Sequence, residues 1–273
     1  MRLFHLAALA AVLVPSVAWS ACTSKVPVAD LVTPGTMMLA INPTLPPQQF
    51  VDEKGELQGL NVELGRALGD RLCLKTEFVR MDFPAMVPAL KAARFDAIDT
   101  GMFWTEERSK LMFMVPYAQQ AIGVFAMASS NFKVASFDDL AGKVGAIEIG
   151  TYQERKAKEA NADLVARGLK PVDLRTFSTA TEATAALRAG QVDVVIIVDN
   201  AAREISKQRG MQLLLAGFGG TDITFGFRNK ATAEAAVAAF KEIRADGTYD
   251  KLFDKFGMTP LKGDFEIRGT GPQ

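Results

Sequence analysis

Arg108 is the residue whose type and position most favour binding chemistry. It follows a predicted buried strand that ends at Asp99 and a predicted loop over residues 100–104. It lies one turn into a helix that Thr105 is suited to cap. A planar guanidinium beside open backbone N–H groups captures a carboxylate through two parallel hydrogen bonds. The segment therefore predicts an anion site where the strand gives way to the helix.

A second interpretation of Arg108 is an ion pair on the helix surface. Glu106 and Glu107 occupy the first turn of the same predicted helix, where the helix dipole favours acidic side chains. Either carboxylate could hold the guanidinium in solvent, away from any ligand. The two interpretations differ in whether the side chain faces a crevice or bulk water.

A second candidate anion site lies at Gly150-Thr151-Tyr152, between a predicted strand and a predicted helix. Unpaired N–H groups and the helix dipole favour an anion at such a helix start. The alternative is an ordinary glycine turn in which Thr151 caps the helix.

Two series of alternating strands and helices position these residues. The repeated strand-helix-strand order implies a mostly parallel sheet with helices on both faces. The first series has predicted strands over 37–41, 75–80 and 95–99 and helices over 61–72 and 83–92. The second has predicted strands over 144–149, 172–177 and 192–198 and helices over 152–167 and 179–190.

The two series resemble each other in sequence. ALKAARFDAI (89–98) and ALRAGQVDVV (186–195) align without gaps, each as helix, tight turn and strand. The match favours two lobes of one architecture. The chain is expected to cross between them at the strand-like segments 122–126 and 222–227, and residues 231–256 are expected to return to the first lobe.

The first twenty residues have the pattern of a secretory signal peptide. Arg2 precedes an uncharged apolar stretch over residues 6–17, and cleavage is expected near Ser20. That apolar stretch is too short to span a membrane stably. The remaining chain has ordinary globular composition, since the whole is 49% hydrophobic and 23% charged. We therefore predict export and a periplasmic location.

Charge and histidine content exclude several classes of function. The 31 basic residues balance 31 acidic ones, and cleavage removes one base, Arg2, and no acid, so the mature net charge is about −1. This charge gives no reason to expect nucleic acid as a partner. Cleavage also removes His5, the one histidine. Catalysis through histidine and histidine-metal centres are therefore excluded, and we expect no metal and no cofactor.

The two cysteines, Cys22 and Cys73, leave two alternatives open. In an oxidising compartment they can form one disulfide. Alternatively, Cys22 could be lipidated as the first mature residue, although Trp19 stands where a lipoprotein signal has a leucine-like residue.

Five landmarks, taken in their order and spacing, resemble the family 3 periplasmic solute-binding proteins (polar amino-acid type) that serve ABC importers. The resemblance covers roughly residues 34–258. The landmarks are GTMMLAIN at 35–42, PPQQFVDEKGELQGLNVELGRALGDRL at 46–72, FPAMVPALKAARFDAI at 83–98, TEER at 105–108 and ADGTYDKLFDKFG at 245–257.

The resemblance implies an α/β fold of the type II periplasmic binding protein class. Two similar lobes, each a mostly parallel sheet flanked by helices, would be joined by a two-strand hinge around a ligand cleft. The implied organisation is a signal peptide over 1–20, a first lobe over 21–121 and 222–273, and a second lobe over 122–221.

The resemblance also implies the ligand contacts. Arg108 would hold an α-carboxylate, and Asp199 would receive an α-ammonium. The interval from Asp193 to Asp199 is one residue longer than usual, so Asp199 could instead cap the next helix. The full set of implied ligand-binding residues is Asn42, Leu45, Phe83, Thr100, Gly101, Phe103, Arg108, Thr151, Tyr152 and Asp199.

Departures from the family pattern make the implied pocket more apolar. Leu45 and Gln48 replace aromatic residues, and Phe103 stands where a hydroxyl residue often helps to hold the carboxylate. Asn42 stands where members that bind cationic amino acids often carry an acid, which argues against lysine or arginine as the ligand.

The function implied is capture of an amino acid or related small carboxylate, without turnover, by a monomer that delivers it to an ABC permease in the inner membrane. One alternative is an enzyme resembling cyclohexadienyl dehydratase, with Glu148, Asp99 or Asp199 as the acid. A further alternative is a receptor that reports ligand occupancy to a membrane sensor.

Overall fold

A computed structural model describes residues 22–272. The predicted signal peptide lies outside these residues. The strands are β1 (Thr36–Ile41), β2 (Thr44–Leu45), β3 (Gln49–Val51), β4 (Leu57–Gln58), β5 (Lys75–Arg80), β6 (Ala97–Phe103), β7 (Phe113–Met127), β8 (Val144–Glu148), β9 (Asp173–Phe177), β10 (Val194–Val198), β11 (Met211–Phe227) and β12 (Thr259–Pro260). The α-helices are α1 (Leu60–Leu72), α2 (Phe83–Lys91), α3 (Glu106–Ser109), α4 (Tyr152–Ala166), α5 (Ala180–Arg188), α6 (Asp199–Ser206), α7 (Lys230–Ala245) and α8 (Thr248–Phe256).

One large sheet, in the order β5-β1-β6-β11-β7-β10-β8-β9, runs through the molecule. Strands β5, β1 and β6 are parallel to one another, and so are β10, β8 and β9. The long strands β7 and β11 lie between these two parallel sets and are antiparallel to each other. The predicted α/β architecture, with two similar halves joined by two strands, is confirmed. We call the half built on β5, β1 and β6 the first half, and the half built on β10, β8 and β9 the second half.

Burial explains why these segments form strands and helices. Every residue of β6 and β10 is buried, as expected for strands covered on both faces by helices. Helix α1 buries Leu60, Leu64, Leu68 and Leu72, which recur at the four-residue spacing that places them on one face. The sequence pattern therefore predicted these elements to within a few residues.

The C-terminal helices pack on the first half. Lys255 of α8 contacts Glu63 of α1 at 2.7 Å, and Arg71 of α1 forms an ion pair with Asp246, just after α7. The ring of Phe240 in α7 packs on Phe225 of β11, with centroids 5.2 Å apart. The predicted return of residues 231–256 to the first half is thus observed.

The predicted loop over residues 100–104 is wrong. Strand β6 continues to Phe103 because β11 supplies a partner, with Met102 opposite Thr224 and Phe103 opposite Ile223. The Trp104 N–H then donates to the Asp222 carbonyl at 2.8 Å. Strands β7 and β11 are also much longer than the segments predicted to cross between the halves. A single sequence does not reveal such long-range pairing, since the pairing partner is distant along the chain.

A disulfide joins Cys22 to Cys73. The adjoining segment docks on the first half, where the Lys25 N–H donates to the Leu72 carbonyl at 3.1 Å and Val26 is buried. Cys22 and Cys73 thus form the disulfide that was one of the two alternatives. Across residues 22–272, no helix combines the length and apolar character needed to cross a bilayer.

Candidate functional site

A small cavity lies where the carboxyl ends of β1, β6, β8 and β10 meet, which is the edge at which open α/β sheets bind ligands. Its volume is about 20 Å³, room for about one water molecule. The two halves are therefore closed on each other. The cavity is lined by Asn42, Leu45, Phe83, Thr100, Gly101, Phe103, Arg108, Glu148, Thr151, Tyr152, Gln153 and Val198.

Nine of the ten predicted ligand-binding residues line this cavity, and Asp199 does not. The nine come from separate segments of the chain. Five of them follow β1 or lie in β2 or β6, and the other four lie at or near the starts of α2, α3 and α4. The structure brings these nine residues together around one cavity, and the ligand-binding role of each remains a prediction.

Arg108 is half-buried and lines the cavity. The Thr105 hydroxyl accepts the Arg108 N–H at 3.1 Å and so starts the short helix α3. The guanidinium donates to the Phe103 carbonyl at 3.0 Å and to the Gly150 carbonyl of the second half at 3.1 Å. It also lies over the ring of Phe83, with Cζ 5.2 Å from the centroid.

No carboxylate pairs with Arg108 among residues 22–272. Glu106 instead contacts Lys110 at 2.8 Å, and Glu107 contacts Arg155 at 3.7 Å. The surface ion pair considered for Arg108 is therefore absent from the part of the chain described. Burial, followed by repulsion from Arg155, lowers the pKa of Arg108 to about 10, and the field of Glu107 opposes this shift. The side chain remains a cation at neutral pH.

Glu148, the last residue of β8, places a carboxyl group in the same cavity. Its Oε1 accepts a hydrogen bond from Asn42 Nδ2 at 2.7 Å, which joins the second half to the first. Burial raises the pKa of Glu148 to about 8, against the effect of the Asn42 hydrogen bond, and the negative charges of Asp82 and Glu182 add to the rise. In the closed cavity Glu148 is therefore largely protonated at neutral pH.

The start of α4 is capped by the protein itself. The Thr151 hydroxyl accepts the Glu154 N–H at 3.2 Å and donates to the Glu148 carbonyl at 2.7 Å. The Gly150 N–H donates to Glu154 Oε2 at 2.6 Å. One of the N–H groups that we expected to meet an anion is thus engaged by a carboxylate of this chain, and Thr151 and Tyr152 contribute their side chains to the cavity.

Asp199 lies in a different depression, of about 330 Å³, beside β7 and β11. Its Oδ1 accepts the Ala121 N–H at 3.3 Å. It is also not the cap of the next helix, since α6 begins at Asp199 and Val198 is the N-cap residue. Val198 lines the cavity in its place. Neighbouring residues at a strand end point to opposite sides of the sheet, so Val198 faces the cavity and Asp199 faces away from it.

The chain matches the family model for bacterial extracellular solute-binding proteins, family 3, over residues 37–259. It belongs to that family. The lysine/arginine/ornithine-binding periplasmic protein of Escherichia coli (strain K12) is 28% identical over 243 residues, covering 85% of this chain and 91% of the relative.

Solved structures agree with this membership of the solute-binding family. An ancestral arginine-binding protein bound to arginine has a TM-score of 0.75 and 30% identity, covering 81% of this chain and 98% of the other. An ancestral amino acid-binding protein, a precursor of cyclohexadienyl dehydratase, has a TM-score of 0.70 and 26% identity, covering 81% of this chain and 95% of the other. The relatives are periplasmic amino-acid-binding proteins.

Three residues that line the cavity of this solute-binding protein were not among the predicted ligand-binding residues: Glu148, Gln153 and Val198. Glu148 and Val198 end β8 and β10, so the rule that ligands sit beyond strand ends could have found them. The predicted strand boundary at residue 149, one residue too late, hid the position of Glu148. The unusual interval before Asp199 was the signal for Val198.

Further contacts hold the two halves of the solute-binding protein together. Gln48 Nε2 donates to Gln120 Oε1 of β7 at 2.6 Å, and Gln120 Nε2 in turn donates to Asn200 of α6 in the second half. On the outer side of the cavity, the Glu107–Arg155 ion pair borders an open depression of about 700 Å³ that shares Arg108, Thr151 and Tyr152 with the cavity. This depression is the mouth of the crevice between the halves.

Proposed function

We propose that this solute-binding protein captures an amino acid or related small carboxylate between its two halves and delivers it to an ABC importer. The observation that carries the proposal is the guanidinium of Arg108, which lines the crevice without a carboxylate partner among the described residues. A ligand carboxylate would complete its hydrogen bonding. The lysine/arginine/ornithine-binding relative and the arginine-bound ancestral protein support the same ligand class.

Ligand entry requires the halves to separate, because a cavity of about 20 Å³ cannot hold an amino acid. We assign residues 21–121 and 222–273 to the first lobe and 122–221 to the second, with β7 and β11 as the hinge. A ligand that contacts both lobes binds the closed form better than the open form, and this difference in affinity drives closure. A permease can then distinguish the loaded protein by its closed surface.

We further propose that residues 1–20 direct export to the periplasm and that the protein works as a monomer without turnover of its ligand. The burial of Glu148, which raises the pKa of its carboxyl group, would suit an acid catalyst of the dehydratase kind. Turnover is therefore measured in the experiment that follows. The membrane protein that the loaded form binds shows whether the partner is a permease or a sensor.

The experiment is a thermal-shift screen of the mature protein against the twenty common amino acids and small organic acids, followed by titration calorimetry of the compounds that shift Tm. We expect saturable binding that Arg108→Ala abolishes. The matched control is Arg203→Ala, since Arg203 is an exposed arginine of α6 with no ion pair in residues 22–272. Failure of every compound to bind would overturn the proposal, and product formation from prephenate or arogenate would replace it with catalysis.

A further inference from the structure

The charged side chains that line the cavity indicate which polar group the ligand carries besides a carboxylate. Among the twelve lining residues, Arg108 is the one cation and Glu148 is the one residue with a carboxyl group. The remaining polar groups are neutral hydroxyls and amides, and the apolar wall is formed by Leu45, Phe83, Phe103 and Val198. A ligand that contacted only Arg108 would leave the second oxygen of the buried Glu148 carboxyl group, Oε2, without a hydrogen-bond partner in the cavity.

We propose that Glu148, and not Asp199, receives an ammonium group of the ligand, so that the ligand carries a carboxylate for Arg108 and an amino group for Glu148. This inference rests on the proposed function and deepens it by naming the ligand class. Asp199 points into another depression, where Ala121 donates to it. Val198, which lines the cavity at the end of β10, has an apolar side chain that cannot pair with a cation.

The geometry of Glu148 suits this role. The carboxyl is buried at 7% exposure, and its position is set by the hydrogen bond from Asn42 of the other half. That bond uses Oε1, which leaves Oε2 for an ammonium hydrogen. Charge-assisted hydrogen bonds of this kind are shorter and stronger than neutral ones. Because Asn42 donates to Glu148 across the crevice, the same carboxyl links ligand recognition to closure.

A measurable consequence is release of a proton. The charged groups that act on Glu148 are Asp82 at the start of α2 and Glu182 in α5, and Arg108 of α3 lines the same cavity. In the closed cavity, burial and the two acids favour the neutral carboxylic acid. An ammonium beside it favours the carboxylate, so the Glu148 proton passes to solvent as the ammonium binds. Ligand binding should therefore tighten as the pH rises from 6 to 8.

The test is calorimetry with the twenty common L-amino acids and, for each one that binds, its analogue with hydrogen in place of the amino group. We expect the amino acid to bind the wild type at least about tenfold more tightly than the analogue, as loss of one charge-assisted hydrogen bond predicts. Glu148→Gln should remove most of this preference, and Glu234→Gln, at an exposed glutamate of α7, should preserve it.

Proton release is read on the wild type, so the test survives a Glu148→Gln variant that does not fold. Binding heats are measured in phosphate and in Tris at pH 7. They should differ by the difference between the ionisation heats of the two buffers, multiplied by somewhat less than one proton released per ligand. Equal heats, equal affinity for the analogue, or an unchanged preference in Glu148→Gln would overturn the inference. Those results would leave the proposed function standing if Arg108→Ala still abolished binding. Absence of binding by every amino acid and organic acid would instead refute the proposed function itself.

Discussion

The ring of Phe103 stacks on the ring of Tyr152, with centroids 4.6 Å apart and planes inclined by 23°. Phe103 ends β6 in the first half, and Tyr152 begins α4 in the second. The two rings therefore fill the crevice in the closed form and hold its walls together. A ligand must either displace this contact or occupy the space beside it.

Tyr152→Ala should shift the empty protein towards the open form. An aromatic pair contributes about 0.5–1.5 kcal/mol beyond the area that it buries, and this contribution is lost when the halves keep only their polar contacts. Small-angle X-ray scattering should show a larger radius of gyration for the empty variant than for the empty wild type.

The control for that change is Tyr152→Phe, which keeps the stacked ring and removes only the hydroxyl that donates to the Gly219 carbonyl at 3.0 Å. Its radius of gyration should match that of the wild type. Equal scattering from Tyr152→Ala and the wild type would show that the stack does not set the balance between open and closed forms.

Arg108→Lys should weaken binding of an amino acid by about tenfold or more, although the positive charge is kept. The planar fork of arginine donates two parallel hydrogen bonds to a carboxylate, and an ammonium cannot reproduce them. Titration calorimetry measures the change. Glu107→Gln, which removes an exposed partner of Arg155 at the mouth of the crevice, should alter affinity by no more than a few-fold. Equal losses of affinity in the two variants would show that charge at the mouth of the crevice matters as much for binding as the planar guanidinium of Arg108.

Asp99 should make the protein less stable as the pH rises above the acidic range. The side chain is fully buried in β6, and neither carboxyl oxygen has a hydrogen-bond partner among residues 22–272. Burial raises the pKa of Asp99 well above its ordinary value. Between the unfolded-state pKa of about 3.9 and the raised folded-state pKa, the native state holds a proton that the unfolded state does not. The free energy of unfolding therefore falls with pH in this range, by at most about 1.4 kcal/mol per pH unit.

Urea unfolding of the wild type and Asp99→Asn between pH 4.5 and 8 measures this effect. The asparagine keeps the shape of the side chain and does not titrate, so the difference between the two free energies isolates Asp99 from Glu148 and the other acids. We expect the wild type to lose stability relative to Asp99→Asn as the pH increases. Parallel pH profiles would show that Asp99 is not held neutral in the folded protein.

Cys22→Ser should lower the free energy of unfolding by about 2–4 kcal/mol, because the disulfide constrains the unfolded chain. The cross-link to Cys73 closes a loop with a sequence separation of 51 residues. Urea unfolding of the oxidised protein measures the loss. Cys73→Ser should have the same effect, and dithiothreitol should destabilise the wild type but neither variant. An unchanged wild type in dithiothreitol would contradict a stabilising role for this bond.

Local sequence determined the elements that are stabilised by their own patterns. The leucine spacing of α1, the apolar run of β10 and the Thr105 cap of α3 each depend on residues within a few positions of one another. The order of these elements predicted an α/β protein with two similar halves. The type of Arg108 and its place after a strand predicted the cationic end of the site.

Tertiary structure alone decided which carboxyl group joins Arg108. Asp199 and Val198 are neighbours in sequence, and the direction in which each points depends on how β10 ends against the sheet and where α6 begins. Glu148 enters the cavity because β8 stops one residue before the predicted boundary and meets Asn42 from the other half. The length of β6 likewise depended on pairing with β11, more than a hundred residues away in the chain. Such contacts form between segments that are distant along the chain, so a local sequence pattern cannot predict them.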